Sequence, residues 1–210
     1  MKNDFSGNDQ RLMSDRYHMS LPFWTSGLQY LTLVENVSRQ IASEGNAWFL
    51  VREKGPISPQ EYDNATMWSD HRIVIPLLFS LFHGLELLVK GFLLFDPEEQ
   101  VKKEHNLCGL CARFKHRYPN ATQINDFLDK FTCLSRMPEF LRHFLTENEI
   151  GVDKLYESLR YPSPDFQTIR LYSSLQYQQE EGSRFFSDLC QELQVVRRAI
   201  VRLGRSLRES

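Results

Sequence analysis

His83, Glu86 and Lys90 lie three and four residues apart inside IVIPLLFSLFHGLELLVKGFLLF (73–95), so a helix there carries all three on one face. Glu86 four residues before Lys90 is the favoured orientation for an ion pair along a helix. His105 and Asn106 follow after a short gap, and His83, Glu86, Lys90, His105 and Asn106 together read as a polar network inside a helical core. Two roles stay open for it. It can simply fix helix register, or it can hold a ligand or nucleotide, because buried charges with fixed partners also mark working sites.

Two other groups have chemistry in their residue types. His105, Cys108 and Cys111 have the spacing H-x2-C-x2-C, which drifts over most of two helical turns and supplies at best part of a metal site. Cys133 and Cys190 are not paired with further ligands, so neither a metal nor any other cofactor is expected. Near the end of the chain, Arg198, Arg202 and Arg205 cluster opposite an apolar stripe, with Arg197 and Arg208 on the flank. They suit a phosphate-binding face or an ordinary solvated one. No aromatic residues interleave with them, which argues against stacking on single-stranded bases.

The elements that must position these residues are helices. A first helix is expected over 22–43, with Leu28, Leu31, Val34, Val37 and Ile41 on its apolar stripe and Gly45 after its end. Residues 1–21 read as a flexible arm before a single domain over 22–210. Gly55, Pro56 and Pro59 make a loop, with a short helix after Ser58. Ser69 or Asp70 can cap the apolar helix, and Asp96-Pro97 ends it. Helices follow from His105-Asn106 to about Tyr118, over 122–133 and over 137–147. The stretch 151–178 contains two prolines and the strand-forming TIRLYSSLQY, which predicts a short hairpin or extended loop before the last helix at 180–207. Residues 119–178 then read as an insertion decorating an all-α, four-helix-bundle-type core.

Composition narrows the class. With 210 residues, 41% hydrophobic and 25% charged, the chain can bury a full core without disulfides or metals. A net charge of −2 does not suit a general polyanion binder, although charge can still be unevenly distributed. No apolar leader stands at the start, so four reduced thiols in a cytoplasmic protein are expected. The 73–95 run has spanning length, yet charges near a bilayer centre cost about 2.5–3.5 kcal/mol each, so a buried core helix fits better than a membrane span. There is no βαβ alternation, glycine-rich phosphate loop or nucleophile elbow.

FHGLELLVKGFLL, followed by Glu104-His105-Asn106-Leu107-x-x-Leu110, resembles the HEPN superfamily (higher eukaryotes and prokaryotes nucleotide-binding domain). That family combines an E-x-x-x-K element on one bundle helix with an H-[ND]-L element opening the next. Leu159-Arg160-Tyr161-Pro162 resembles an RYP stretch of some bacterial members, and Arg160 joins the candidate phosphate ligands on that ground. The resemblance implies a helical bundle that pairs into homodimers and works in RNA cleavage, toxin–antitoxin systems or phage defence. Family ribonucleases use R-x4–6-H near the last helix, with Arg on the phosphate and His in proton transfer. Here no His occurs after His143. Arg11 with His18 and Arg136 with His143 match the spacing, and about one or two such matches arise by chance at this composition.

The expected protein is therefore a catalytically degenerate HEPN-like binding or dimerisation module, with RNA or a cognate protein as partner and no membrane. A metal-independent endoribonuclease using Arg136 and His143 is the first alternative. A helical interaction scaffold with no nucleic-acid role is the second. Phe23, Trp24, Trp48, Phe49 and Trp68 are candidates for a homodimer surface.

Overall fold

A computed structural model describes residues 4–53, 55–99, 105–161, 163 and 169–209, and the side chains from residue 12 onward within them. Arg11's side chain, Glu104, Pro162 and Asp165 lie outside that description. The protein is all-α. Three long helices, α1 (Asp4–Ser43), α3 (Asp70–Phe95) and α8 (Gln179–Glu209), carry the core, and shorter ones close around it.

Helix α3 is the core element. Sixteen of its 26 residues are buried, including Leu78, Leu81, Phe82, Phe92 and Leu93. It is long and apolar enough to cross a membrane by composition alone, but here α1, α4 (Leu107–Arg117) and α7 (Leu155–Arg160) cover most of it. Glycines set the closest approach. A Cβ on Gly27 would stand 2.5 Å from Leu88 Cγ, and one on Gly84 would stand 2.9 Å from Tyr30 Cβ, so α1 and α3 meet almost backbone to backbone.

The first helix begins at Asp4, eighteen residues before the expected start, and Pro22 lies inside it. Tertiary contacts outweigh the proline. Arg16 Nη1 donates to Asp96 O at 2.7 Å and Leu94 O at 3.2 Å, satisfying carbonyls at the end of α3. Tyr17 and Trp24 pack edge to face at 5.8 Å, and Trp24 continues onto Phe92 at 5.0 Å. Residues 4–21 are thus helix rather than flexible arm.

Helix α2 (Pro59–Thr66) starts on a capping box, with Ser58 and Glu61 each accepting from the other's backbone N–H. On α5 (Thr122–Thr132), Ile124, Phe127, Leu128 and Phe131 form the buried stripe. Helix α6 (Glu139–Glu147) buries Leu141, Phe144 and Leu145. The expected hairpin is not found: no strand occurs among the described residues, and 164–168 lie outside them. Two 3-10 turns, at Val152–Lys154 and Ser173–Leu175, and α7 occupy the stretch instead. Leu171 N donates to Asn148 Oδ1 at 2.7 Å, a side chain taking the place of a partner strand.

A buried polar clasp joins the ends of the long helices. Asn46, at φ +53, donates from Nδ2 to Asp70 Oδ2 at 2.9 Å, and its Oδ1 accepts from Asp70 N at 2.6 Å. Asp70 also takes Tyr177 N at 2.9 Å and Gln178 N at 2.8 Å. Ser69 is the N-cap of α3 by position, but its hydroxyl donates to Thr66 O, and Asp70 binds the chain entering α8.

Candidate functional site

The polar face of α3 meets α7 and the start of α4 at one place. Lys90 Nζ donates to Glu86 Oε1 at 2.5 Å, with Glu86 2% and Lys90 9% exposed. His105 stands immediately before α4, where the Asn106 Oδ1 accepts from Gly109 N at 3.1 Å and caps the helix. The cap holds His105 Nδ1 at 2.9 Å from Glu86 Oε1, while two-thirds of the imidazole faces solvent. Asn106 is exposed and serves the helix end, so it stands outside the core network to which the sequence assigned it.

His83 joins the set through a residue that the sequence did not single out. Its Nδ1 lies 2.7 Å from the hydroxyl of Tyr156, which is 6% exposed on α7. Tyr156 and Arg160 are four apart and project from one face of that short helix. Only the LYESLR pattern, with Leu155 and Leu159 flanking the tyrosine, hinted at an inward face, and six residues give too little periodicity to establish one.

The electrostatics divide the groups. Burial pushes the Glu86 carboxyl up, but the bond and charge of Lys90, with smaller help from His105 and Tyr156, more than offset this and leave it below its ordinary value. Burial holds His83 below its ordinary value; Arg160, Lys90 and His105 add to this and Glu86 opposes it. The Tyr156 phenol is pushed up by burial first and by the Glu86 charge next. The interior thus holds an ionised carboxylate, a neutral imidazole and a protonated phenol.

Outside this interior lies a cleft of about 540 Å³ lined by His105, Asn106, Asp153, Lys154, Tyr156, Glu157, Arg160 and Tyr161. Lys154 is engaged by Glu157 at 2.8 Å. The Arg160 guanidinium sits 5.1 Å from the Tyr161 ring centroid and has no carboxylate partner among the described residues. The cleft therefore presents one imidazole, oriented through its inner nitrogen, one guanidinium with no carboxylate partner among the described residues, and the Asp153 carboxylate, while Glu157 is turned to Lys154. The imidazole and the guanidinium can together bind an oxyanion.

The other candidates lie elsewhere. Arg136, in the turn before α6, bonds Asp126 Oδ1 at 3.0 Å and approaches Asp129 at 3.6 Å. His143, on α6, faces Glu139 at 3.7 Å and lines a different cleft, beside Thr146 and Ser173. Arg136 and His143 share neither a cleft nor a contact among the described residues. Arg198, Arg202 and Arg205 line a groove between α1 and α8, and Arg160 lies apart from them in the His105 cleft. His105 turns onto Glu86, while Cys111 is 1% exposed, and burial pushes its thiol far up. Among the described residues no group of His, Cys, Asp and Glu is arranged to hold a metal.

In comparisons with known proteins, no family model matches this chain, and neither a curated protein nor a solved structure matches it.

Proposed function

We propose that the protein is an HEPN-like RNA-binding module whose cleft at His105 and Arg160 takes a phosphate of the RNA chain. One observation carries the reading: an exposed imidazole fixed by a buried, Lys90-neutralised carboxylate stands in the same cleft as a guanidinium that has no carboxylate partner among the described residues. The N-terminal end of α4 opens beside His105 and adds partial positive charge. The residues carrying the HEPN resemblance, Glu86, Lys90 and His105, are the ones that build this interior.

A second reading is a metal-independent endoribonuclease in which His105 and Arg160 act in place of Arg136 and His143. His105 would take the 2′-hydroxyl proton, and Arg160 would stabilise the charge developing on phosphorus. Transesterification also needs a proton for the leaving oxygen. One chain offers a single well-exposed imidazole in this cleft, since His83 is screened by Tyr156, so binding stands first and catalysis would draw on a homodimer. The setting we propose is a bacterial RNA-targeting, toxin–antitoxin or phage-defence system in the cytoplasm.

The test is nuclear magnetic resonance of the imidazole resonances during titration with uridine 3′-monophosphate. Saturable shifts at His105, abolished in Arg160→Gln, support the reading. Unmoved His105 resonances reject it. Incubation of the protein with mixed RNA separates the second reading: cleavage lost in both His105→Ala and Arg160→Gln would establish it.

A further inference from the structure

Helix α8 carries six arginines, at 184, 197, 198, 202, 205 and 208, and no lysine. Four of them, Arg197, Arg198, Arg202 and Arg205, line an open groove of about 690 Å³ against α1. Among the described residues the only acid in its lining is Glu35, which is 5% exposed and already doubly engaged. Its Oε1 takes Arg39 at 2.5 Å and its Oε2 takes Arg197. Arg202 donates to Gln123 Oε1 at 2.8 Å, a neutral partner, and neither Arg198 nor Arg205 has a carboxylate partner among the described residues. On a chain of net charge −2, this groove concentrates cationic charge with no acid among the described residues left to neutralise it.

The spacing favours a chain of anions over a single one. Positions 198, 202 and 205 follow one face of the helix and span about 10 Å at 1.5 Å per residue. That length is enough to meet neighbouring phosphates of one strand and not just a single anion. The guanidinium fork pairs bidentately with phosphate oxygens, which suits arginine better than lysine. Protein partners are anchored by aromatic residues in well-packed pockets, and the apolar floor here is only half-buried Leu28 and exposed Val201. Without aromatics the groove has no base-stacking platform, so contact falls on the backbone alone.

We propose that the α1–α8 groove is a track for a nucleic-acid backbone, in which Arg198, Arg202 and Arg205 hold successive phosphates without regard to sequence. It rests on the RNA-binding reading above only for the choice of RNA over DNA; the groove and its charge are independent of the His105 cleft.

The test is fluorescence anisotropy with a labelled oligouridylate across a salt series. The groove variant is R198Q/R202Q/R205Q and the control is R142Q/R184Q, which alters exposed arginines outside the groove. All five side chains are exposed, and thermal melts check that both variants fold. The groove variant is expected to bind at least about tenfold more weakly, with a log–log salt slope shallower by about 2, since each phosphate no longer neutralised removes about 0.7 from the slope. The control should stay within about twofold of wild type. Unchanged binding by the groove variant, equal weakening in the control, or no binding by wild type overturns the proposal. So does equally tight binding of a polyglutamate peptide of matched charge, which would make the occupant an acidic protein. A matching oligodeoxyuridylate bound equally well keeps the track and removes its preference for RNA. If His105 is unmoved by uridine 3′-monophosphate while the groove variant still loses oligouridylate binding, the cleft reading fails and the track stands.

Discussion

Lys90 is held inside the core by Glu86, which accepts from it at 2.5 Å, and His105 and Tyr156 share the same carboxylate. Glu86→Ala leaves the ammonium buried without a partner, so unfolding in urea should reveal a loss of about 3–5 kcal/mol. Glu86→Leu combined with Lys90→Met removes both charges and should recover most of it; no recovery would mean that shape, not charge, dominates there. The pH dependence follows from two depressed groups. His83 is neutral in the fold, so its contribution is complete above its ordinary value of 6.5 and declines as pH falls through the lower folded value. Glu86 behaves likewise below 4.5. Urea midpoints should therefore fall between about pH 8 and pH 5.5, and fall less in His83→Gln. An equal fall in that variant would remove His83 as a cause.

Helix α1 shows tertiary packing overriding local preference. Pro22 has no N–H for the bond to His18 and costs roughly 3 kcal/mol in a helix interior, yet the helix runs through it. Pro22→Ala should raise stability by about 1–3 kcal/mol in denaturant, and no gain would mean that the helix is broken there in solution. The clasp at the far end works the other way, with side chains replacing regular structure. Gly182→Ala would place a Cβ 2.6 Å from Asn46 Nδ2 and 2.9 Å from Asp70 Oδ2. Asp70 binds the entry to α8 through those atoms, so the change should cost more than about 2 kcal/mol and expose that entry to faster amide exchange. Exchange unchanged around 176–182 would show that the clasp does not hold α8.

At the scale of the whole molecule, aromatic and apolar surface collects beside the clasp. Trp48 packs on Phe49 at 4.7 Å and Tyr177 at 5.0 Å, and Phe49, Val51, Tyr62 and Met67 are exposed nearby. Trp24, one of the aromatics expected at a homodimer surface, is core instead at 6% exposure. The homodimer we propose would use the Trp48–Phe49–Tyr177 face, since exposed aromatic residues suit interface centres. Light scattering should give a mass near twice the 24.8 kDa of one chain, and Phe49→Asp should return it to one. A single-chain mass throughout a dilution series would reject pairing, and with it the two-copy route to catalysis.

Wherever a long, uninterrupted hydrophobic period was available, the sequence by itself determined the element. The apolar run made α3 the core helix, the stripe from Phe186 to Ile200 gave α8 the apolar face that packs on α1 and α5, and Ser58, Asn106 and Pro119 marked helix boundaries. Glu86 beside Lys90 was legible because their spacing is internal to one helix. Contacts between elements were decided only in the tertiary structure. Tyr156 reaches His83 across 73 residues, and Arg160 reaches the His105 cleft from a six-residue helix too short to show its face in sequence. Within the strand-forming TIRLYSSLQY, residues 169–177 form no strand because their backbone found Asn148 and Asp70 instead of a partner strand. Helical period is a local property of the chain. Which polar groups share a buried site depends on how whole helices pack, and no spacing along one helix encodes that.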